Sequence, residues 1–171
     1  MDVSTPEAEG REFEALFHAY YSRLARLLYR VTGDTGRAEE IASEAFWRLH
    51  RKPPPDTANL EGWLYRAGIR LALDQLKKER RRARYEALAP NSSTAPVPQQ
   101  LLEQSQDRER VRGALGALKP EQAALILLRG DGFSYAEIAA RLHLNPASVG
   151  TLLARAEEAF RKEYVKRYGK R

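Results

Sequence analysis

Residues 133–160 read FSYAEIAARLHLNPASVGTLLARAEEAF, and the stretch holds two helix starts close together. Ser134 and Glu137 have the spacing of a capping box: the hydroxyl accepts the Glu137 N–H, and the carboxylate reaches back to the Ser134 N–H. Asn145 before Pro146 is a second start, an N-cap followed by proline at the first helical position. Between them YAEIAARL forms a short helix with Ile138, Ala139 and Leu142 inward. Only His143, Leu144 and Asn145 separate it from the next helix. A short helix, a tight turn and a longer helix make a helix-turn-helix pattern. In the longer helix Val149, Leu153, Ala156 and Phe160 share the inward face, which leaves Ser148, Thr151 and Arg155 outward. A helix of this kind fits the DNA major groove and reads bases from its N-terminal part.

Upstream, Pro120 opens a helix through Leu128 that Gly130 and Gly132 break, and Val111, Leu115 and Leu118 give a weaker periodic run. Before that, EALAPNSSTAPVPQQ (Glu86 to Gln100) crowds Pro, Ser, Asn and Thr together without periodicity. It reads as a flexible linker, taken here as residues 86–106, with few tertiary contacts across it. Helical periodicity returns in the first half. Phe13, Leu16, Tyr20, Leu24, Leu27 and Val31 form one stripe, stopped at Gly33. Asp34 or Thr35 caps a second helix that buries Ala38, Ile41, Ala42, Ala45 and Leu49 and ends at Pro53, Pro54 and Pro55. A third starts near Asn59, with Leu60, Leu64, Ala67 and Leu71 as its apolar face. No alternating strand pattern of useful length is present. The expected fold is all-α: one small helical domain over 10–85, a linker, and a helix-turn-helix domain over 107–171. Hydrophobic residues make up 43% of the 171, enough for two small cores that are each marginal alone.

The net charge of +6 is unevenly placed. Lys77 to Arg84 (KKERRRAR) and Arg161 to Arg171 (RKEYVKRYGKR) each hold six basic residues against one acid. Each run is therefore +5, and the rest of the chain is −4. On the third helix Arg66, Arg70, Lys77, Arg81 and Arg84 lie along one face, with Trp63 at its start and Tyr65 nearby. Basic side chains track phosphates and aromatics stack on unpaired bases. The same residues also describe a core tryptophan beside a solvated basic helix.

Several classes are disfavoured. There is no cysteine, so no disulfide and no thiolate metal site. His18, His50 and His143 are far apart, and no glycine-rich phosphate loop follows a strand. Neither catalysis nor a cofactor nor a metal is expected. The acidic start MDVSTPEAEGREFEALF has no signal-peptide pattern. No apolar run nears the roughly 18–20 residues of a membrane span, so no membrane insertion is expected.

The run AEEIASEAFWRLHRK (38–52), followed by EGWLYRAGIRLALDQLKKERRR (61–82), resembles the first domain of extracytoplasmic-function (ECF) sigma factors. The run RVRGALGALKPEQAALILLRGDGFSYAEIAARLHLNPASVGTLLARA (110–156) is similar to their second domain. The resemblance runs from Phe13 to Lys162. It implies a cytoplasmic transcription initiation factor, a monomer when free. Its implied partners are core RNA polymerase, promoter DNA and an anti-sigma factor. The first domain would dock on the polymerase clamp coiled coil and melt the −10 element. The second would bind the −35 element and touch the polymerase flap. Carried over by position, Glu39, Glu40 and Glu44 would bind polymerase. Trp63, Arg66, Arg70 and Asp74, with Lys77 and Arg81 along the same basic face, would meet the −10 element. Asp56, Thr57 and Asn59, in the loop Arg51 to Asn59, would capture a flipped base. Ser148, Thr151 and Arg155 would read the −35 element.

This chain departs from the family at Ser43, where Gln is common, and at Arg70, where Asn is usual. Gly150 and Leu152 stand where Lys and Arg are frequent. Two fewer cations there weaken −35 affinity and lower its salt slope. A helix-turn-helix regulator acting without polymerase accounts for 107–171 but leaves the first domain idle. A sigma-like decoy that sequesters an anti-sigma factor is a third reading. The domain division predicts that limited proteolysis cuts first within 86–106. Early cuts within 60–80 would sink it.

Overall fold

Helix boundaries in this chain are set by short polar caps and by prolines and glycines. A computed structural model describes residues 6–88 and 98–169. Among these are seven α-helices: α1 (Pro6–Thr32), α2 (Thr35–Arg51), α3 (Leu60–Glu86), α4 (Gln99–Leu115), α5 (Pro120–Gly130), α6 (Tyr135–Leu142) and α7 (Pro146–Tyr168). No strand occurs among the described residues. Asp34 caps α2 by accepting the Arg37 N–H at 2.7 Å, and Asn59 caps α3 through the Gly62 N–H at 2.8 Å. The Ser134–Glu137 capping box closes at 3.2 and 2.7 Å. Asn145 caps α7 by accepting from Ala147. Gly33, with φ +69, turns the chain out of α1, a left-handed conformation that glycine adopts without strain.

In the first unit, α1 contributes Leu24, Leu27, Leu28 and Val31 to the core, and α2 contributes Ala38, Ile41, Ala42, Ala45, Phe46 and Leu49. The expected stripe of α2 is buried throughout, with Phe46 added. The expected face of α3 needs correction. Leu64 is buried, but Leu60, Ala67 and Leu71 are only half-buried. The buried residues are instead Gly62, Leu64, Tyr65, Gly68, Ile69, Ala72, Leu73 and Leu76. The reason is that α3 has neighbours in two layers: it packs on α1 and α2, and also on α5 and α6. A helix covered from two sides buries a wider arc than a single stripe. Toward α1 the approach is close at Gly68, where a Cβ would stand 3.0 Å from a Leu24 methyl. Toward the second unit, Tyr65 meets the Phe133 ring edge-on at 5.7 Å between centroids.

Two further expectations change. The linker reading of 86–106 holds no structural description over residues 89–97, but α4 occupies its end from Gln99 onward. After Pro98 the run is rich in Gln, Leu, Glu and Arg, which are good helix formers. Side-chain pairs support it, Arg110–Asp107 at 3.2 Å and Arg112–Glu109 at 2.8 Å, at a spacing that helices favour. The two units also share more contact than expected, because the buried residues of both form one continuous cluster. In the second unit the core is Leu115, Leu118, most of α5, Phe133, Ile138, Ala139, Val149, Leu153 and Ala156. Val111 is exposed and Phe160 half-buried.

Leu28 is fully buried beside Gly68. Leu28→Ala leaves a cavity and is expected to lower stability by about 3 kcal/mol, read as a lower urea midpoint at unchanged slope.

Candidate nucleic-acid interface

The residues singled out in the sequence fall on three surfaces. The first is the basic face of α3. Asp74, Lys77, Arg81 and Arg84 are exposed along its C-terminal half. Its N-terminal half is partly covered, with Arg70 still exposed. Trp63 is half-buried. Arg66 donates from Nη1 to the Arg141 carbonyl of α6, and burial pulls its pKa down. Arg70 lies 3.7 Å from the Glu121 carboxylate of α5. Tyr65, 1% exposed, is a core residue and offers no stacking surface to a base.

The loop before α3 separates its three residues. Asp56 and Thr57 are exposed, and Asp56 accepts the Ala58 N–H at 2.9 Å, an Asx turn that fixes the loop. Asn59 is engaged at both ends of its amide. The oxygen caps α3, and the nitrogen donates to the Ala140 carbonyl of α6 at 2.5 Å.

The second surface lies on α7. Ser148, Thr151 and Arg155 are all exposed, at spacings of three and four that set them on one side of the helix. The turn before α7 is tight because His143 adopts φ +54, an uncommon conformation for a residue other than glycine. The Leu144 N–H returns to the Ala139 carbonyl at 2.9 Å. Leu152 packs against the core and, with Ile69, Leu125, Leu142 and Leu144, lines a 270 Å³ recess between the units. Arg66, Arg70 and Arg155 line the same recess, so cations of the two DNA-reading sets are brought together. Gly150 lies beside Tyr135, whose ring would be 3.4 Å from an added Cβ.

The third surface is on α2. Glu39, Glu40 and Glu44 border a recess with Tyr21, Ser43 and Trp47. Two of the acids have cationic neighbours: Glu44 pairs with Arg48 at 2.6 Å and Glu40 with Arg37 at 3.5 Å. The Tyr21 hydroxyl lies 3.3 Å from Ser43 Oγ. Trp47 is 56% exposed, and the reading of the sequence passed over it. The signal was there: the buried positions 38, 41, 42, 45 and 49 leave position 47 off the apolar stripe. A large exposed aromatic beside acids suits a protein partner better than solvent.

Arg141 also escaped the sequence reading. It is a buried charged residue, 9% exposed. Its guanidinium pairs with Glu61 and stands 4.1 Å from the centroid of Phe133 and 5.5 Å from that of Tyr65. Among the described residues no cluster of His, Asp or Glu could hold a metal ion, and no helix is long and apolar enough to cross a membrane.

Comparison with known proteins gives the family of the chain. Residues 16–82 match the family model described as Sigma-70 region 2, and residues 108–160 match that described as Sigma-70, region 4. The chain is 30% identical to the ECF RNA polymerase sigma factor SigE of Mycolicibacterium smegmatis, over 97% of this chain and 66% of that protein. It is 29% identical to SigK of Mycolicibacterium vanbaalenii, over 95% of this chain and 88% of that one. SigL of Mycobacterium tuberculosis is 29% identical over 90% of this chain and 89% of its own length. Among solved structures, the sigma factor RpoE of Bartonella quintana, in complex with the anti-sigma factor NepR, has a similar fold. The TM-score is 0.52 at 21% identity, over 90% of this chain and 96% of that one. With both sigma regions matched in order and ECF factors aligned along almost its whole length, this chain belongs to the sigma-70 family, in its ECF group.

Proposed function

We infer that the chain acts in transcription initiation, binding core RNA polymerase and directing it to promoter DNA, with the work divided between its two units. Three surfaces of different chemistry support this division. Residues 10–85 carry the acidic, aromatic recess of α2 and the basic face of α3. Residues 107–171 carry the polar line on α7. The acidic recess suits a basic protein surface and serves as the polymerase dock. The face of α3 from Trp63 through Arg66, Arg70, Asp74, Lys77 and Arg81 meets the −10 element, with Asp56, Thr57 and Asn59 near the flipped base. Ser148, Thr151 and Arg155 read the −35 element. The protein works in the cytoplasm, as a binding factor rather than an enzyme, and an anti-sigma factor restrains it.

The observation that carries most weight is the basic face of α3 with a tryptophan at its start. Duplex readers need cations and hydrogen-bonding groups, whereas an aromatic beside the cations suits bases that have left the stack. The −35 surface is sparer. A good bidentate base contact contributes about 1–3 kcal/mol of discrimination, and α7 offers one guanidinium and two hydroxyls. Leu152, packed toward α3, adds no polar reach.

Run-off transcription with purified core polymerase tests the whole reading, and absence of any promoter-dependent transcript would reject it. Glu40→Lys combined with Glu44→Lys should lower core-polymerase capture at least several-fold while helical content stays intact. Unchanged capture would remove the acidic dock from the account. Scrambling the −10 element should cost more initiation than scrambling the −35 element. In parallel, Arg155→Ala should cost less than Arg66→Ala with Arg70→Ala. The reverse order in both comparisons would transfer specificity to the second unit.

A further inference from the structure

Apolar side chains at a junction between packed units normally cover one another, because water gains by leaving them. Here three do so only in part. Leu142 at the end of α6, Leu144 in the turn after it and Leu152 of α7 are half-buried. With Ile69 of α3 and Leu125 of α5 they line the 270 Å³ recess between the units. No aromatic side chain lines it, so the walls offer aliphatic contact and no stacking. The volume lies at the small end of ligand sites, which run roughly 300–1,000 Å³. A stable protein partner needs an interface of about 1,000 Å² or more, far beyond what such a recess presents. The space suits one slender chain.

The rim has a definite charge. Arg66, Arg70 and Arg155 line it against the single carboxylate of Glu121. Glu121 stands 3.7 Å from Arg70, and Arg66 donates to the Arg141 carbonyl. Arg155 is exposed. It has no ion pair among the described residues, and the acid one turn farther on, Glu158, is held by Arg161 at 2.8 Å and Lys162 at 3.6 Å. A guanidinium fork left without an acid is complementary to a carboxylate, which accepts two parallel hydrogen bonds from it.

We propose that the recess is a binding site for a medium-chain aliphatic monocarboxylate. Its hydrocarbon lies against Leu142, Leu144 and Leu152, and its carboxylate pairs with Arg155 at the rim. Each methylene taken out of water contributes about fourfold in affinity, so affinity climbs with chain length until the recess is full. The ligand touches helices of both units at once. Binding therefore ties the units together and raises the temperature at which the chain unfolds.

The test titrates the full chain with straight-chain acids from butanoate to tetradecanoate, each below its micelle-forming concentration, by calorimetry and thermal melting. Affinity should rise about fourfold per methylene through the middle of the series and stop rising once the chain outgrows the recess. At about ten times its Kd the best acid should raise the melting temperature by about 3–6 °C. Butanoate, a head with little tail, and decylammonium, a tail with the opposite head, should not bind. Arg155→Ala, at an exposed position, should weaken the best acid on the order of fivefold. Leu152→Trp keeps every arginine and fills the recess, and should abolish binding. If circular dichroism shows that it loses helix, Leu144→Phe fills the same space from the turn and decides instead. No saturable binding anywhere in the series overturns the site. Decylammonium binding as tightly as decanoate, or affinity that rises without limit along the series, means adsorption to the surface and rejects it. Binding unchanged by the filling variant rejects the recess as the seat of the hydrocarbon. Binding unchanged by Arg155→Ala rejects the pairing with the carboxylate.

Discussion

The guanidinium of Arg141 cannot enter the protein interior alone. Isolated buried charge is so costly that such groups are paired or stay outside, and here the partner comes from the other unit. Glu61 supplies the carboxylate, the Glu137 carbonyl accepts a further hydrogen bond at 3.1 Å, and two aromatic faces take up the rest. The arrangement of the units follows from this one requirement. Glu61 lies in the first turn of α3, so α6 must come to the N-terminal end of α3 and to no other part of it. Once there, its terminal carbonyls meet Asn59 and Arg66, and Tyr65 meets Phe133. A buried ion pair of this kind adds little net stability against a well-packed apolar substitute. Its effect here is on register, because a shift of α6 along α3 would leave both charges without partners.

Farther along, the same helix is held differently. Arg80 donates to the Gly113 carbonyl at 3.0 Å and to the Tyr168 hydroxyl at 3.2 Å, tying the end of α3 to α4 and α7. A residue from the most basic run of the chain therefore acts as a cross-link between helices. Lys77, Arg81 and Arg84 of that run remain on the surface. Charge runs of this density contain both kinds of residue, and only the positions of neighbouring acceptors separate them.

The caps were legible in the sequence because capping is local: Ser134 with Glu137, Asn145 with Pro146, and Asp34 need no knowledge of the rest of the chain. The buried stripe of α2 was legible for the same reason, since a helix packed on one side shows one period. The face of α3 was not, because Tyr65, Ile69 and Leu76 bury only when a second layer arrives. The start of α4 was hidden, since a polar helix stabilised by side-chain pairs shows no apolar period. Arg141 was hidden most deeply. In YAEIAARL a charged residue reads as outward, and the carboxylate that brings it inside stands 80 positions away. Within the candidate site, the outward line Ser148, Thr151 and Arg155 followed from periodicity alone. The engagement of Asn59 and Arg66 by another helix is a tertiary fact.

The two tryptophans of the chain stand in unlike surroundings, and this gives the protein two optical windows. Trp47 is mostly in water beside the acids of α2, whereas Trp63 is sheltered at the start of the basic face of α3. Their emission must therefore divide into a red-shifted part that small quenchers reach and a bluer part that they reach less. A protein seated on α2 shields the first part. A base stacking at the start of α3 quenches the second. The chain thus reports contact with each class of macromolecule in a separate band of its own fluorescence.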